Sequence, residues 1–82
     1  MPKLPIVTGR VVIAALERIG FRVVRQRGSH VVLKRSAAST DVCVVPVHRE
    51  VAVGTLRSVL RQANIAPEEF LAVLTNKVGK KK

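Results

Sequence analysis

The chain has 82 residues, with 15 Lys and Arg against 5 acids and a formal net charge of +10. That length makes one domain, and 48% apolar residues make it a folding sequence with an aliphatic core (two Phe, no Trp, no Tyr) rather than a disordered basic tail. No apolar run approaches the ~20 residues that span a bilayer, Met1 to Pro5 lacks the apolar stretch of a secretory signal, and the lone Cys43 excludes an internal disulfide, which suits a cytoplasmic setting.

Residues 1–7 read as an extended lead-in, because Pro2 and Pro5 discourage helix. Thr8 can cap a helix with its hydroxyl. Val12, Ala15, Leu16 and Ile19 follow at helical spacing, and Gly20 can supply the left-handed stop, so a first helix is expected at about 9–19. Phe21 to Gln26 reads as a strand and Arg27-Gly28 as a tight turn. His30 to Arg35 is a second strand, Ser36 to Thr40 a hairpin loop and Val42 to Val45 a third strand, ended or edged by Pro46. That third strand is greasy for a sheet with one wet face, so Val42 or Val44 is expected under a partner or at an oligomer contact. Val47 to Val51 connects to a second helix at about 53–63, where Leu56, Val59, Leu60 and Ala63 share one face. Pro67, with Glu68 and Glu69 behind it, opens a third helix with Phe70, Leu71 and Leu74 on its apolar side. Asn76 to Lys82 is expected to fray.

The order is helix, three-stranded antiparallel meander, helix, short helix: an α+β fold of two layers, with the helices on one sheet face and the other face free. Alternation puts Val31 and Leu33 on one side of the second strand and His30, Val32 and Lys34 on the other. If Val31 and Leu33 pack on the helices, His30 stands on the open face, and a one-residue slip would reverse this. The bases are spread from Lys3 to the terminal lysines, so the charge belongs to the domain and not only to its tail. It favours nucleic acid, an acidic protein or an anionic membrane as partner, against the plainer reading of a solvated basic surface.

The set Thr8-Gly9-Arg10, Gly20-Phe21, Arg25-Gln26-Arg27-Gly28-Ser29-His30, Val45-Pro46-Val47-His48 and Gly54 to Ala63 resembles the HicA toxins, the small RNA-cleaving members of bacterial and archaeal type II toxin–antitoxin pairs. The resemblance covers about 4–74 of one domain spanning 1–82, with 75–82 a flexible basic tail. It implies a double-stranded-RNA-binding-like α-β-β-β-α fold and metal-independent cleavage of mRNA (an mRNA interferase). It also implies dependence on the His of Gly-Ser-His, here His30, and a HicB-type antitoxin as partner. Two departures stand out. Ser36 to Thr40 replaces an Asp-Gly turn, and Arg49 to Ala52 is shorter than usual after Val-Pro-Val-His.

RNA can be cut with its own 2′-OH as nucleophile, which needs a general base and a general acid; an imidazole titrating near working pH suits either task. Charge developing on phosphate wants cations nearby, and Arg25, Arg27, Lys34 and Arg35 are the nearest in sequence. Gly28 and Ser29 can offer backbone N–H groups, and Ser29 a hydroxyl, to a phosphate. Without the resemblance, His30 reads first as a strand residue with a satisfied ring or a phosphate contact and only second as a catalytic group, and Gly28 reads as a turn residue. His48 reads first as a loop residue after Pro46 and second as an RNA contact or as the partner of His30. No cofactor or metal is expected, since the acids, two His and Cys43 lack ligand spacing, and Cys43 reads as a buried inert thiol. Two rival functions are a non-catalytic double-stranded-RNA-binding-like module and a DNA-binding regulator using Arg57-Ser58 and Arg61-Gln62 on the second helix.

Overall fold

The computed structural model describes residues 3–36 and 40–75. In chain order these form α1 (Gly9–Ile19), β1 (Arg22–Arg27), β2 (His30–Lys34), β3 (Val42–Pro46), α2 (Val53–Ala63) and α3 (Pro67–Thr75). The expected α+β architecture is present: one antiparallel sheet in the order β1-β2-β3 with three helices.

The helix ends follow from their sequence. The Thr8 hydroxyl accepts the Val11 N–H at 3.1 Å, and Gly20, at φ 123°, ends α1 by donating its N–H to the Glu17 and Leu16 carbonyls. Ala52 gives α2 no side-chain cap, and Asn64 closes it in the left-handed conformation. Pro67, Glu68 and Glu69 open α3 as the sequence suggests.

The strands begin and end slightly off the expected positions. Phe21 precedes β1 instead of starting it and is a core residue. Arg27 belongs to β1, so the tight turn is Gly28-Ser29 and not Arg27-Gly28. Arg35 follows β2, and Pro46 closes β3 opposite His30. The lead-in and the β3–α2 connection meet in an isolated bridge, where the Val51 N–H donates to the Val7 carbonyl at 2.7 Å. The centre of the hairpin loop (37–39) and the basic tail (76–82) lie outside the described residues.

The core fills the space between the sheet and the helices. Val31 and Leu33 of β2 and Cys43 and Val45 of β3 are buried against Val12, Leu16, Leu56, Leu60 and Phe70. Burial of Cys43 pushes its thiol up to about 11 from an ordinary value of 9.0, which leaves it protonated and inert. Gly9 is required by close approach, since a Cβ there would overlap the Pro46 carbonyl and lie 2.8 Å from the Val47 Cα. α1 thereby seats its first turn directly on the end of β3, and the Gly9 N–H donates to the His48 carbonyl at 2.9 Å.

The two edges of the sheet are treated differently. On β3, the Val44 N–H is covered by the Gln62 side-chain carbonyl from α2 at 3.1 Å. On β1, all six residues are exposed.

Candidate active site

The site begins at a turn. Arg27 pairs with His30 across the two-residue loop Gly28-Ser29, with Gly28 at φ 56°. A glycine of positive φ in the first loop position is the arrangement of a type II′ hairpin, which matches the right-handed twist of the strands and fixes their register. The Gln26 amide donates to the Gly28 carbonyl at 3.2 Å, and the Val47 N–H donates to the Ser29 carbonyl at 2.6 Å. The turn is thus tied on both sides, and His30 is held between Arg27 on β1 and Pro46 on β3.

Directly opposed residues of an antiparallel pair share a face. Burial of Val31, Leu33, Cys43 and Val45 identifies the helix-covered face, so His30, Val32 and Lys34 occupy the open one together with Val42 and Val44. His30 is exposed there, as alternation predicts. Val42 and Val44 are 38% and 37% exposed and give this face an apolar half.

The arginines of β1 reach the same face through an irregularity. Arg22 pairs with Lys34 and Val23 with Leu33, whereas Arg25, Arg27 and Gln26 pair with Val32, His30 and Val31. Val24 is the extra residue of a β-bulge. Regular alternation would have put Arg22 on the side opposite Arg25 and Arg27; with the bulge all three lie on the open face. Arg25, Arg27, Lys34, Gly28 and Ser29 are therefore gathered around His30 or along its row, and Arg22 joins them. The sequence reading missed Arg22, and the pattern Arg-Val-Val-Arg-Gln-Arg carried a signal for it only if one valine was counted out.

Arg35 is placed elsewhere. One rung beyond the Arg22–Lys34 pair, its guanidinium carbon stands 5.1 Å from the centroid of the Phe21 ring, and a guanidinium nitrogen lies 3.6 Å from an Asp41 carboxylate oxygen. Its N–H also donates to the Asp41 carbonyl at 3.1 Å. Arg35 closes the sheet end over the core and does not stand in the His30 row.

His48 lies at the same end of the sheet as His30. Its carbonyl is fixed by α1, and with Thr8, Arg10, Val47 and Arg49 it lines a cleft of about 330 Å³. Among the described residues no three of His, Cys, Asp and Glu come together as a metal site, and no helix is long and apolar enough to cross a membrane.

The family model described as the HicA toxin of bacterial toxin–antitoxin systems matches residues 9–65. Those residues run from the glycine that seats α1 to the end of α2 and include the whole sheet. No curated protein and no solved structure gives a match.

Proposed function

This chain belongs to the HicA toxin family and is the toxin component of a toxin–antitoxin pair; from that premise we propose that it is an endoribonuclease that cuts mRNA at His30 without a metal. The observation that carries this reading is the position of His30. It is exposed on a face that carries no acidic residue among the described residues, and it is fixed opposite Arg27 by the Gly28-Ser29 turn.

In the proposed reaction the ribose 2′-oxygen attacks the adjacent phosphorus. The 2′-O–P bond forms, the P–O5′ bond breaks, the 2′ proton passes to a base and the 5′-oxygen takes a proton as it leaves. His30 supplies the imidazole for one or both transfers. Arg27 faces it across the strand pair and stabilises charge on the non-bridging oxygens. Arg25 and Lys34 hold neighbouring phosphates on the same face, and the Gly28-Ser29 turn offers backbone and hydroxyl donors. Arg35 is left out of the contact set because it is engaged by Phe21 and Asp41. His48, at the same end of the sheet, is the second imidazole available for proton transfer.

The partner antitoxin is proposed to be of the HicB type and to silence the toxin by covering the open face, its acidic groups meeting the arginines and its apolar groups meeting Val42 and Val44. The whole chain acts as one toxin domain, with residues 75–82 adding charge beyond it.

Cleavage of a labelled mRNA in excess EDTA tests the chemistry. The expected product ends in a 2′,3′-cyclic phosphate facing a free 5′-hydroxyl, and a 2′-O-methyl group at the cut site stops the reaction. Cutting that ignores the 2′ block, or that EDTA abolishes, would contradict the mechanism. Tight RNA binding with no cleavage would leave a binding module in its place.

A further inference from the structure

β1 has a composition that folding does not explain. None of its six residues is buried, so none is there for the core. Arg22 stands directly opposite Lys34, a like-charge pair that costs the sheet stability. Residues 22–36 contain no acid to offset the four cations of the open face, Arg22, Arg25, Arg27 and Lys34. The bulge at Val24 aligns the three arginines on one face instead of distributing them over two. At the end away from His30, Arg22 and Lys34 line a cleft of about 470 Å³ together with Val23, Val24, Arg35 and Ser36.

We infer that the open face of β1 and β2 is a track for the phosphates of single-stranded RNA, with Arg22 and Lys34 forming a distal phosphate subsite remote from the Arg27–His30 pair. The inference rests on the reading of His30 as the cutting site and adds where the rest of the substrate lies. Residues on one face of a strand recur about every 6.6 Å, a step comparable to that between successive phosphates of an extended single strand. From His30 the row is long enough for about three of them.

The same structure disfavours a duplex. A double-stranded-RNA-binding domain grips its helix largely by shape, through phosphate and 2′-OH contacts. Here the last helix opens on Glu68 and Glu69, which repel phosphate, and the first turn of α2 carries no charge.

The track holds RNA by its backbone and not by its bases. Single-strand binders usually stack bases on aromatic side chains. The chain has no Trp or Tyr, and its two phenylalanines, Phe21 and Phe70, are 2% and 0% exposed, so its surface offers no Phe, Tyr or Trp platform. Affinity must then come chiefly from counterion release, with steep salt dependence and little preference among bases.

The test is equilibrium binding of a fluorescent, fully 2′-O-methylated single strand to the full chain over a range of salt. Arg22→Ala is expected to flatten the plot of log K against log salt by about 0.7, and Lys34→Ala to do the same. Arg61→Ala, on α2, leaves the slope unchanged. Strands of uniform U, C or A bind within about threefold of one another, because every base is held by the same phosphates. An unchanged slope in Arg22→Ala, a strong preference for one base, or tighter binding of duplex at equal salt would overturn the track. If Arg22→Ala changes nothing while the protein still cuts RNA in EDTA, the track fails and the nuclease reading stands. If the track binds as described and nothing is cut, the nuclease reading fails and the track stands.

Discussion

The two edge strands of the sheet have the same neighbour, β2, and opposite characters. β3 alternates buried and exposed residues, lies against α1 and α2, and has the Val44 N–H covered by Gln62. β1 has no buried residue, carries three arginines and leaves Val23 and Val24 44% and 57% exposed. A strand that contributes nothing to the core is free of the constraint that fixes β3, and its residues can answer to a ligand. The turn that joins it to β2 is tied by the Gln26 amide and by the Val47 N–H. The molecule therefore pairs a hydrogen-bonded corner at the Gly28-Ser29 turn with a bare, charged edge.

If that division is right, substitutions on the two sides separate by size and by kind. The largest effect is expected in the core: Phe70→Ala, which removes a fully buried ring from α3, should cost about 3–5 kcal/mol in chemical denaturation. Gly9→Ala comes next, at about 1–3 kcal/mol, because a methyl group must displace the chain at Pro46 and Val47. The same change at the exposed Gly54, which has open space around it, should cost less or even stabilise α2; equal losses at both positions would show that α1 does not seat on β3 as described.

Cys43 gives a smaller, pH-dependent effect on the β3 side. Its folded pKa, about 11, lies above its ordinary 9.0, so the folded state holds the proton longer than the unfolded chain does. The contribution of the buried thiol to stability is complete below pH 9 and is lost as pH rises through about 11. Unfolding midpoints of the native protein and Cys43→Ala, measured across that window, should converge as pH rises. Thiol alkylation at neutral pH should wait for unfolding.

The smallest effect on folding is expected on β1. Arg25→Ala should change stability by less than about 0.5 kcal/mol, since the side chain is exposed and packs no core. Its cost should fall on RNA binding and cleavage. A destabilisation comparable to that of Phe70→Ala would erase the contrast between the two edges.

Much of the fold was legible in the sequence because its signals are local. Thr8 and Gly20 mark the ends of α1, Pro67 with the two glutamates marks the start of α3, and the Leu56–Ala63 spacing marks the buried side of α2. Alternation along Val31–Lys34 placed His30 on the open face. What escaped was set by pairing across strands. Nothing in Val23-Val24 says which valine will be extra, or that a bulge forms, until β2 fixes the register on both sides; the alignment of Arg22 with Arg25 and Arg27 was hidden for the same reason. Arg35 follows Lys34 in the sequence, but its contacts with Phe21 and Asp41 are made only when the sheet closes. The close approach at Gly9 likewise depends on Pro46 and Val47, far along the chain.

The most direct test of the account compares the wild-type chain with His30→Ala in one experiment, measuring thermal unfolding, affinity for an uncleavable RNA and cleavage of a labelled mRNA in excess EDTA. The account predicts that His30→Ala unfolds at nearly the same temperature, binds nearly as well and cuts about 10²–10⁴-fold more slowly. Equal cleavage by both proteins, or loss of binding together with cleavage in a folded His30→Ala, would contradict it.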